Sequence, residues 1–147
     1  MSMSELFGGP RPAFIGVVHL LATPGAPRYG GSLEAILARA AADARALVDG
    51  GVDALLVENF GDAPFFAESV PSETVAALAL ALYEVRGVTG ELPVGVNVLR
   101  NDARAALGLC ASSGAEFVRV NVHTGAMVSD QGLLQGRAAE TLRERAR

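Results

Sequence analysis

Short runs of apolar residues alternate along the chain with longer runs in which apolar positions recur every three or four residues. The short runs predict buried β-strands and the longer ones predict helices. The four predicted strands are Phe14–Leu20, Asp53–Glu58, Pro93–Val98 and Glu116–Asn121. Four consecutive strand–helix units with such apolar strands predict an α/β fold, in which helices cover a parallel sheet.

Residue types at the ends of the helical runs indicate where each helix begins and ends. Ser32 is the expected N-cap of the first helix, and Gly50-Gly51 is its expected stop. The signals for the later helices are Pro71 at the start of the second, Asn101 and Gly114 at the two ends of the third, and Gly132 near the start of the last.

Side chains alternate along the strands in a way that separates two faces of the sheet. In the fourth strand, Val118 and Val120 point to one face, whereas Arg119 and Asn121 point to the other. The third strand repeats the pattern, with its valines opposite Asn97. A β-branched face suits packing beneath helices, and a small, polar face suits a barrel interior with a polar mouth.

Polar side chains gather where the predicted strands end. Parallel strands bring their carboxyl ends to one edge, where α/β barrels place their chemistry. The candidate catalytic residues are His19 and Glu58, and the candidate ligand-binding residues are Asn97, Arg119, Asn121, Asn59 and Asp62.

The residue types at this edge suggest both a functional role and a structural one. The carboxyl group of Glu58 and the imidazole of His19 suit acid–base work, and the planar guanidinium of Arg119 suits a bound carboxylate or phosphate. The structural alternatives are a buried ion pair between Glu58 and Arg119, and a hydrogen-bonded histidine at a strand end. No two candidate ligands have the spacing of a metal site, so no metal is predicted.

Several loop motifs together resemble the BtpA/SgcQ family. They are Gly16–Leu21, Pro24–Ser32, Val57–Phe65, Val94–Asp102 and Arg119–Gly132. The resemblance implies a TIM-type barrel of the ribulose-phosphate-binding kind. It also implies a small polar or phosphorylated ligand at the strand ends, and it leaves the reaction and any cofactor open. The alternatives are a non-catalytic assembly factor of the photosystem I biogenesis type, with which the family's name is associated, and an inactive barrel fragment.

The number of strands limits this barrel to a half. A complete (β/α)₈ barrel typically needs about 250 residues, whereas this chain has 147. We therefore expect an N-terminal tail over residues 1–13 and a truncated half-barrel over residues 14–147. Phe14–Leu20 and Phe117–Asn121 would be unpaired edges beside an open inner face. Self-association, or pairing with a second half-barrel, is the expected consequence.

Composition excludes several other classes of protein. The net charge is −4, which argues against a nucleic-acid partner. All twelve basic residues are arginine, and the absence of lysine excludes a Schiff-base or P-loop lysine. The single cysteine, Cys110, excludes an internal disulfide, so a cytoplasmic location is expected. Cys110 itself is expected in the core. Neither a signal peptide nor a membrane span is predicted.

Overall fold

The computed structural model describes residues 3–7 and 9–146 of the chain. Its helices are α1 (Met3–Leu6), α2 (Leu33–Asp49), α3 (Ser72–Thr89), α4 (Ala103–Ser113) and α5 (Ala138–Arg145). Its strands are β1 (Ile15–His19), β2 (Ala54–Glu58), β3 (Val94–Asn97), β4 (Phe117–Val118), β5 (Ala126–Ser129) and β6 (Gly132–Gln135). Residues 1, 2 and 8 of the predicted tail and residue 147 of the predicted half-barrel lie outside the described residues.

The first four strands form one parallel sheet in the order β1-β2-β3-β4. A helix joins each strand to the next, and α2 packs against α3 on one face of the sheet. The predicted α/β fold with a parallel sheet is therefore confirmed. Since β1 and β4 stand at the two ends of this order, they are the edge strands.

The face of the sheet beneath the helices is apolar. Val18, Val57 and Val96 are fully buried there, in a core shared with Ile36 of α2 and Leu82 of α3. Each such side chain contributes about 1.5–3 kcal/mol when it leaves water. The valine face predicted from the alternation along the strands is confirmed.

The opposite, inner face is covered near the N-terminal ends of the strands. Phe117 of β4 lies over Gly95 of β3, where a Cβ atom would come within 2.3 Å of the phenyl ring. Phe7, which follows α1, meets Phe117 edge-on with the ring centroids 5.3 Å apart. Leu56, the register neighbour of Gly95, is only 4% exposed. The expectation of an open inner face is therefore wrong in this region, because two phenylalanine rings fill it.

The segment before β1 is fastened to the start of β2. Arg11 forms an ion pair with Asp53, and the backbone N–H of Phe14 donates to the same carboxylate at 2.8 Å. The hydrogen bond from Arg11, followed by that from Phe14, lowers the pKa of Asp53. The predicted tail over residues 1–13 thus includes a short helix, a buried ring and this ion pair.

The helix ends predicted at Ser32, Gly50, Pro71 and Gly114 are confirmed, whereas the N-cap predicted at Asn101 is wrong. The Ser32 hydroxyl accepts from the backbone N–H of Ala35, and Gly114 ends α4 in the left-handed conformation. The cap of α4 is Asp102 rather than Asn101. Asn101 instead bonds both backbone groups of Val122, since its Oδ1 accepts from the N–H and its Nδ2 donates to the carbonyl.

The chain after β4 differs from its prediction. The predicted strand Glu116–Asn121 has only two residues in β4, although the N–H of Arg119 still bonds to the Val96 carbonyl. The Asn101 side chain holds Val122 beside the start of α4, where the chain has left the sheet. The helix expected from Gly132 is wrong for residues 132–135, because β5 and β6 form an antiparallel hairpin there, and α5 begins only at Ala138.

Cys110 packs against the core from α4, as predicted. Its thiol donates to the carbonyl of Phe117 at 3.7 Å. Burial, with a smaller contribution from the negative charge of Glu116, raises the pKa of the thiol to about 11. At neutral pH the group therefore stays protonated, and it lacks the thiolate character that a nucleophile needs.

Candidate functional site

The strand register brings three predicted site residues side by side. His19 of β1 pairs with Glu58 of β2, and Glu58 pairs with Asn97 of β3. All three are the last residues of their strands, so they lie at the C-terminal edge of the sheet. Arg119 directly follows β4, and its side chain reaches the same place.

Glu58 lies at the centre of this group, and its two carboxylate oxygens have different partners. Oε1 accepts from Nδ2 of Asn97 at 3.2 Å. Oε2 lies 3.5 Å from Nη1 of Arg119 and 3.8 Å from Nε2 of His19. A buried carboxylate needs such partners, because transfer out of water is costly for an uncompensated charge.

Asn97 positions Glu58 by using both hydrogens of its amide. Its Nδ2 donates to Glu58 and also to Oδ1 of Asn121 at 3.2 Å. With only 1% of its surface exposed, Asn97 lies beneath the other residues of the group. The structure thus brings five predicted residues together as one hydrogen-bonded and ion-paired cluster, and Asn97 forms its floor.

The cluster has a buried acidic centre and exposed basic partners. The Glu58 side chain is 5% exposed, whereas the side chains of Arg119 and His19 are 56% and 51% exposed. The contact from Arg119 to Glu58 is long, and a guanidinium carries five N–H donors. Arg119 can therefore bind an anion arriving from solvent while it still neutralises Glu58.

Asp62, another predicted ligand-binding residue, belongs to a second network under the loops. Its carboxylate accepts from the backbone N–H of Thr23 at 2.7 Å, from the Thr23 hydroxyl at 2.9 Å and from Nδ2 of Asn59 at 3.0 Å. Thr23 and Asp62 are both buried. This carboxylate fastens the loop after β1 to the loop after β2.

Asn59 extends the same network to the loop after β3. Its Oδ1 accepts from the N–H of Leu99 at 2.7 Å, and its Nδ2 also lies 3.4 Å from the Leu99 carbonyl. The structure does not bring Asn59 and Asp62 into the Glu58 cluster by any of these bonds. Their predicted part in ligand binding stays a prediction, while their contacts hold the three loops in place.

Phe60 and Gly61 are residues at the edge that the sequence pattern does not single out. The Phe60 ring stacks on His19 with the centroids 4.3 Å apart and the planes 19° from parallel. A Cβ on Gly61 would lie 2.4 Å from the backbone nitrogen of Ala22, so glycine permits the close approach that places Phe60 there. The sequence signal that could identify Phe60 is an aromatic residue two positions after the glutamate that ends a strand.

A cavity of about 280 Å³ lies elsewhere, between the start of α4, β6 and α5. Its lining includes Arg137, which bonds to Glu68 at 2.8 Å and approaches Glu140 at 3.8 Å. The three side chains are exposed, and the positive charge of Arg137 is balanced by the two carboxylates. The edge around Glu58 differs because there a buried carboxylate faces exposed donors, and we take it as the candidate site.

Two further findings concern metal binding and membrane-spanning helices. Among residues 3–7 and 9–146, no three His, Cys, Asp or Glu side chains come together in a way that could hold a metal ion. In the same part of the chain, no helix combines the length and the apolar character needed to cross a membrane.

Comparison with known proteins places the chain in a family. The profile of the BtpA family matches residues 11–147. The chain belongs to the BtpA family. The family match includes all seven predicted site residues, and it confirms the resemblance carried by the loop motifs.

Relatives come from bacteria, archaea and animals. The photosystem I biogenesis protein BtpA of Synechocystis is 48% identical over 145 residues, which are 99% of this chain and 50% of that protein. An uncharacterized protein of Pyrococcus abyssi is 46% identical over 95% of the chain and 52% of its own length. An uncharacterized mitochondrial protein of Caenorhabditis elegans is 30% identical over 98% of the chain and 53% of its own length.

The chain thus spans about half the length of the curated relatives it matches. No solved structure shows a significant match to it.

Proposed function

We propose that the chain is one half of a TIM-type barrel of the ribulose-phosphate-binding kind. Its four parallel strands follow one another in sequence order, with a helix after each of the first three. Polar side chains gather at the C-terminal edge, where such barrels bind their ligands. The relatives' length, about twice that of this chain, also supports the proposal.

The proposed function is binding of a small polar or phosphorylated molecule at this edge. The observation that carries it is the convergence of Arg119 and His19 on one oxygen of the buried Glu58. Arg119 would bind the anionic group, because a guanidinium matches the geometry of phosphate or carboxylate oxygens. Glu58 would exchange a proton with the ligand, and His19 would be the second acid–base group.

The two asparagines and the loop network would position these groups. Asn97 orients Glu58 from below, and Asn121 would add a hydrogen bond to the ligand. Asn59 and Asp62 would act through the loops that they fasten together. Whether the proton exchange leads to a reaction depends on the ligand, so the proposal concerns a binding site with acid–base capacity.

A second candidate is a non-catalytic assembly factor. The name of the Synechocystis relative favours it. On the hairpin, Met127, Val128 and Leu133 expose apolar surface, and surface of this kind is common at protein contacts. A factor of this kind would use the hairpin rather than the strand ends, so substitutions at Glu58 would leave its activity unchanged.

Ribose 5-phosphate tests the binding proposal by NMR titration of the 147-residue chain. We expect Arg119→Ala to weaken binding about tenfold or more, since hydrogen bonds to charged groups contribute about 1.5–3 kcal/mol. Glu58→Gln should raise the affinity for ribose 5-phosphate several-fold, because it removes a negative charge beside the bound anion. It should change the free energy of unfolding by less than about 1 kcal/mol, since Gln keeps an acceptor for Asn97.

Arg39→Ala is the matched control for the loss of an arginine. Arg39 is an exposed residue of α2, and it pairs with Asp43 one helical turn away. This variant should bind ribose 5-phosphate as the unaltered chain does. A Glu58→Gln variant that loses stability and keeps its affinity would make Glu58 a structural residue and contradict the proposed role.

We further propose that the edge strands pair with a second half-barrel, in the simplest case another copy of the chain. β1 and β4 are the edge strands, each paired with a single neighbouring strand among the described residues, and Phe14 beside β1 is 64% exposed. Light scattering after size exclusion at micromolar concentration should give a mass near twice 15.1 kDa. Val17→Lys, which puts a charge on the inner face of an edge strand, should lower that mass.

Tyr83→Ala is the control for this measurement, because Tyr83 is exposed on α3, away from both edges. It should leave the mass unchanged. A monodisperse monomer of 15.1 kDa would contradict the pairing proposal.

A further inference from the structure

Aromatic rings form a continuous row across the loops beside the candidate site. Phe60 stacks on His19, and the Phe65 ring lies 6.3 Å from Phe60 at an angle of 54°. The guanidinium of Arg100 lies 4.9 Å from the centre of the Phe65 ring. We call these four side chains the ring row. They come from three different loops or strand ends, so tertiary structure alone brings them together.

The ring row begins where the proposed anion site lies. His19 stacks on Phe60 and also approaches Oε2 of Glu58, the oxygen that Arg119 contacts. One end of the row is therefore separated from the Arg119 guanidinium by a single carboxylate. Phe60 is 51% exposed, so much of its ring faces solvent beside an otherwise polar edge.

Hydrogen bonds hold two members of the ring row, Phe60 and Arg100, in place. The N–H of Gly61 donates to the carbonyl of Leu20 at 3.0 Å, which fixes the turn that carries Phe60. Arg100 donates to Gln131 at 2.9 Å and to Asp130 at 3.3 Å, and both acceptors lie in the turn of the hairpin. A preformed surface binds a ligand with a smaller entropic cost than a mobile one.

We infer that the ring row is a stacking platform for a planar heteroaromatic ring, and that Arg119 binds an anionic group attached to that ring. The inference rests on the proposed function and narrows its ligand class. Aromatic rings stack at the distance seen between His19 and Phe60, and a heteroaromatic ring on the exposed surface of Phe60 extends that stack. A phosphate on the ligand then meets the donors beside Glu58.

Two ligands that differ by one heteroaromatic base separate this inference from the proposed function. Ribose 5-phosphate carries the phosphate and the sugar, whereas adenosine 5′-monophosphate adds a planar base to them. NMR titration should show the nucleotide binding about fivefold to a hundredfold more tightly, the range expected for one stacked base. Ring-current shifts should appear on the Phe60 and His19 side chains.

Phe60→Leu should remove the preference for the nucleotide over ribose 5-phosphate, because leucine keeps apolar volume without a flat face. Phe66→Leu is the matched control, since Phe66 is a similarly exposed phenylalanine of the same loop with no ring contact among the described residues. It should leave both affinities unchanged.

Three outcomes would overturn the inference. Equal affinities for the two ligands, still dependent on Arg119, would remove the platform and leave the proposed function standing. A nucleotide preference that survives Phe60→Leu would place the base elsewhere, with the same consequence. Failure of both ligands to bind at millimolar concentration would contradict the inference and the proposed function together.

Discussion

Replacing Asp62 by alanine is expected to lower the free energy of unfolding by about 3–5 kcal/mol. The carboxylate is buried and accepts three hydrogen bonds, two from Thr23 and one from Asn59. Alanine removes the acceptor of these three buried donors, and each costs about 1–3 kcal/mol unless it has another partner. Nδ2 of Asn59 keeps the Leu99 carbonyl at 3.4 Å, whereas the backbone N–H of Thr23 loses its acceptor. The Thr23 hydroxyl lies 3.4 Å from the Thr74 hydroxyl, which compensates part of the loss.

Urea denaturation followed by circular dichroism measures this loss. Asp130→Ala is the matched control, because Asp130 is 65% exposed and its ion pair with Arg100 spans 3.3 Å. Exposed pairs of this kind contribute about 0–1 kcal/mol. Equal stabilities of the two variants would show that the network of Thr23, Asn59 and Asp62 adds nothing measurable to the fold.

Gly61→Ala is expected to lower the free energy of unfolding by about 2–3 kcal/mol and to displace Phe60. The added Cβ would lie 2.4 Å from the nitrogen of Ala22 and 2.7 Å from the oxygen of Leu20, and both are backbone atoms. Neither can rotate away, so the turn after β2 must move as a unit. The NMR signals of the His19 ring should shift, since Phe60 stacks on it.

Gly87→Ala provides the opposite result for the same substitution. Gly87 lies within α3, and a Cβ added there would have no neighbouring atom within 4 Å outside its own helical turn. Alanine at this position should therefore raise stability by about 0.5–1 kcal/mol. If Gly61→Ala left both the stability and the His19 signals unchanged, the close approach at Gly61 would not be what positions Phe60.

The sequence predicts the parts of this fold that depend on neighbouring residues. Apolar runs locate the strands of the sheet, and a hydroxyl at Ser32 and a glycine at Gly114 locate helix ends, because these effects act within one turn. Asn101 and Asp102 are harder to separate, since both residue types cap helices. Their assignment depends on Val122, a distant residue that Asn101 bonds.

The β5–β6 hairpin escapes prediction for a different physical reason. Its two-residue turn, Asp130-Gln131, lacks the glycine that usually marks such turns, and Gly132 lies one position later as the first residue of β6. Leu133 and Leu134 then suggest the start of an apolar helix face. The hairpin lies outside the parallel sheet, so the alternation along the four strands carries no information about it.

The candidate site is predictable where it follows from strand ends. His19, Glu58 and Asn97 meet because parallel strands in register end together. The bonds from Asp62 to Thr23 and the stacking of Phe60 on His19 join separate loops, and no local pattern specifies such contacts. Proximity in sequence therefore groups Asn59 and Asp62 with the site, whereas their contacts lie among the loops.

The contact between Phe7 and Phe117 sets an order of assembly for the chain. Its partners lie far apart in the sequence, so closing it carries a larger entropic cost than pairing adjacent strand–helix units. During synthesis, β1, α2 and β2 emerge and can associate while Phe117 has yet to be added. Phe7 can therefore dock only after β4 has joined the sheet, whereas Arg11 can already pair with Asp53 once β2 is in place.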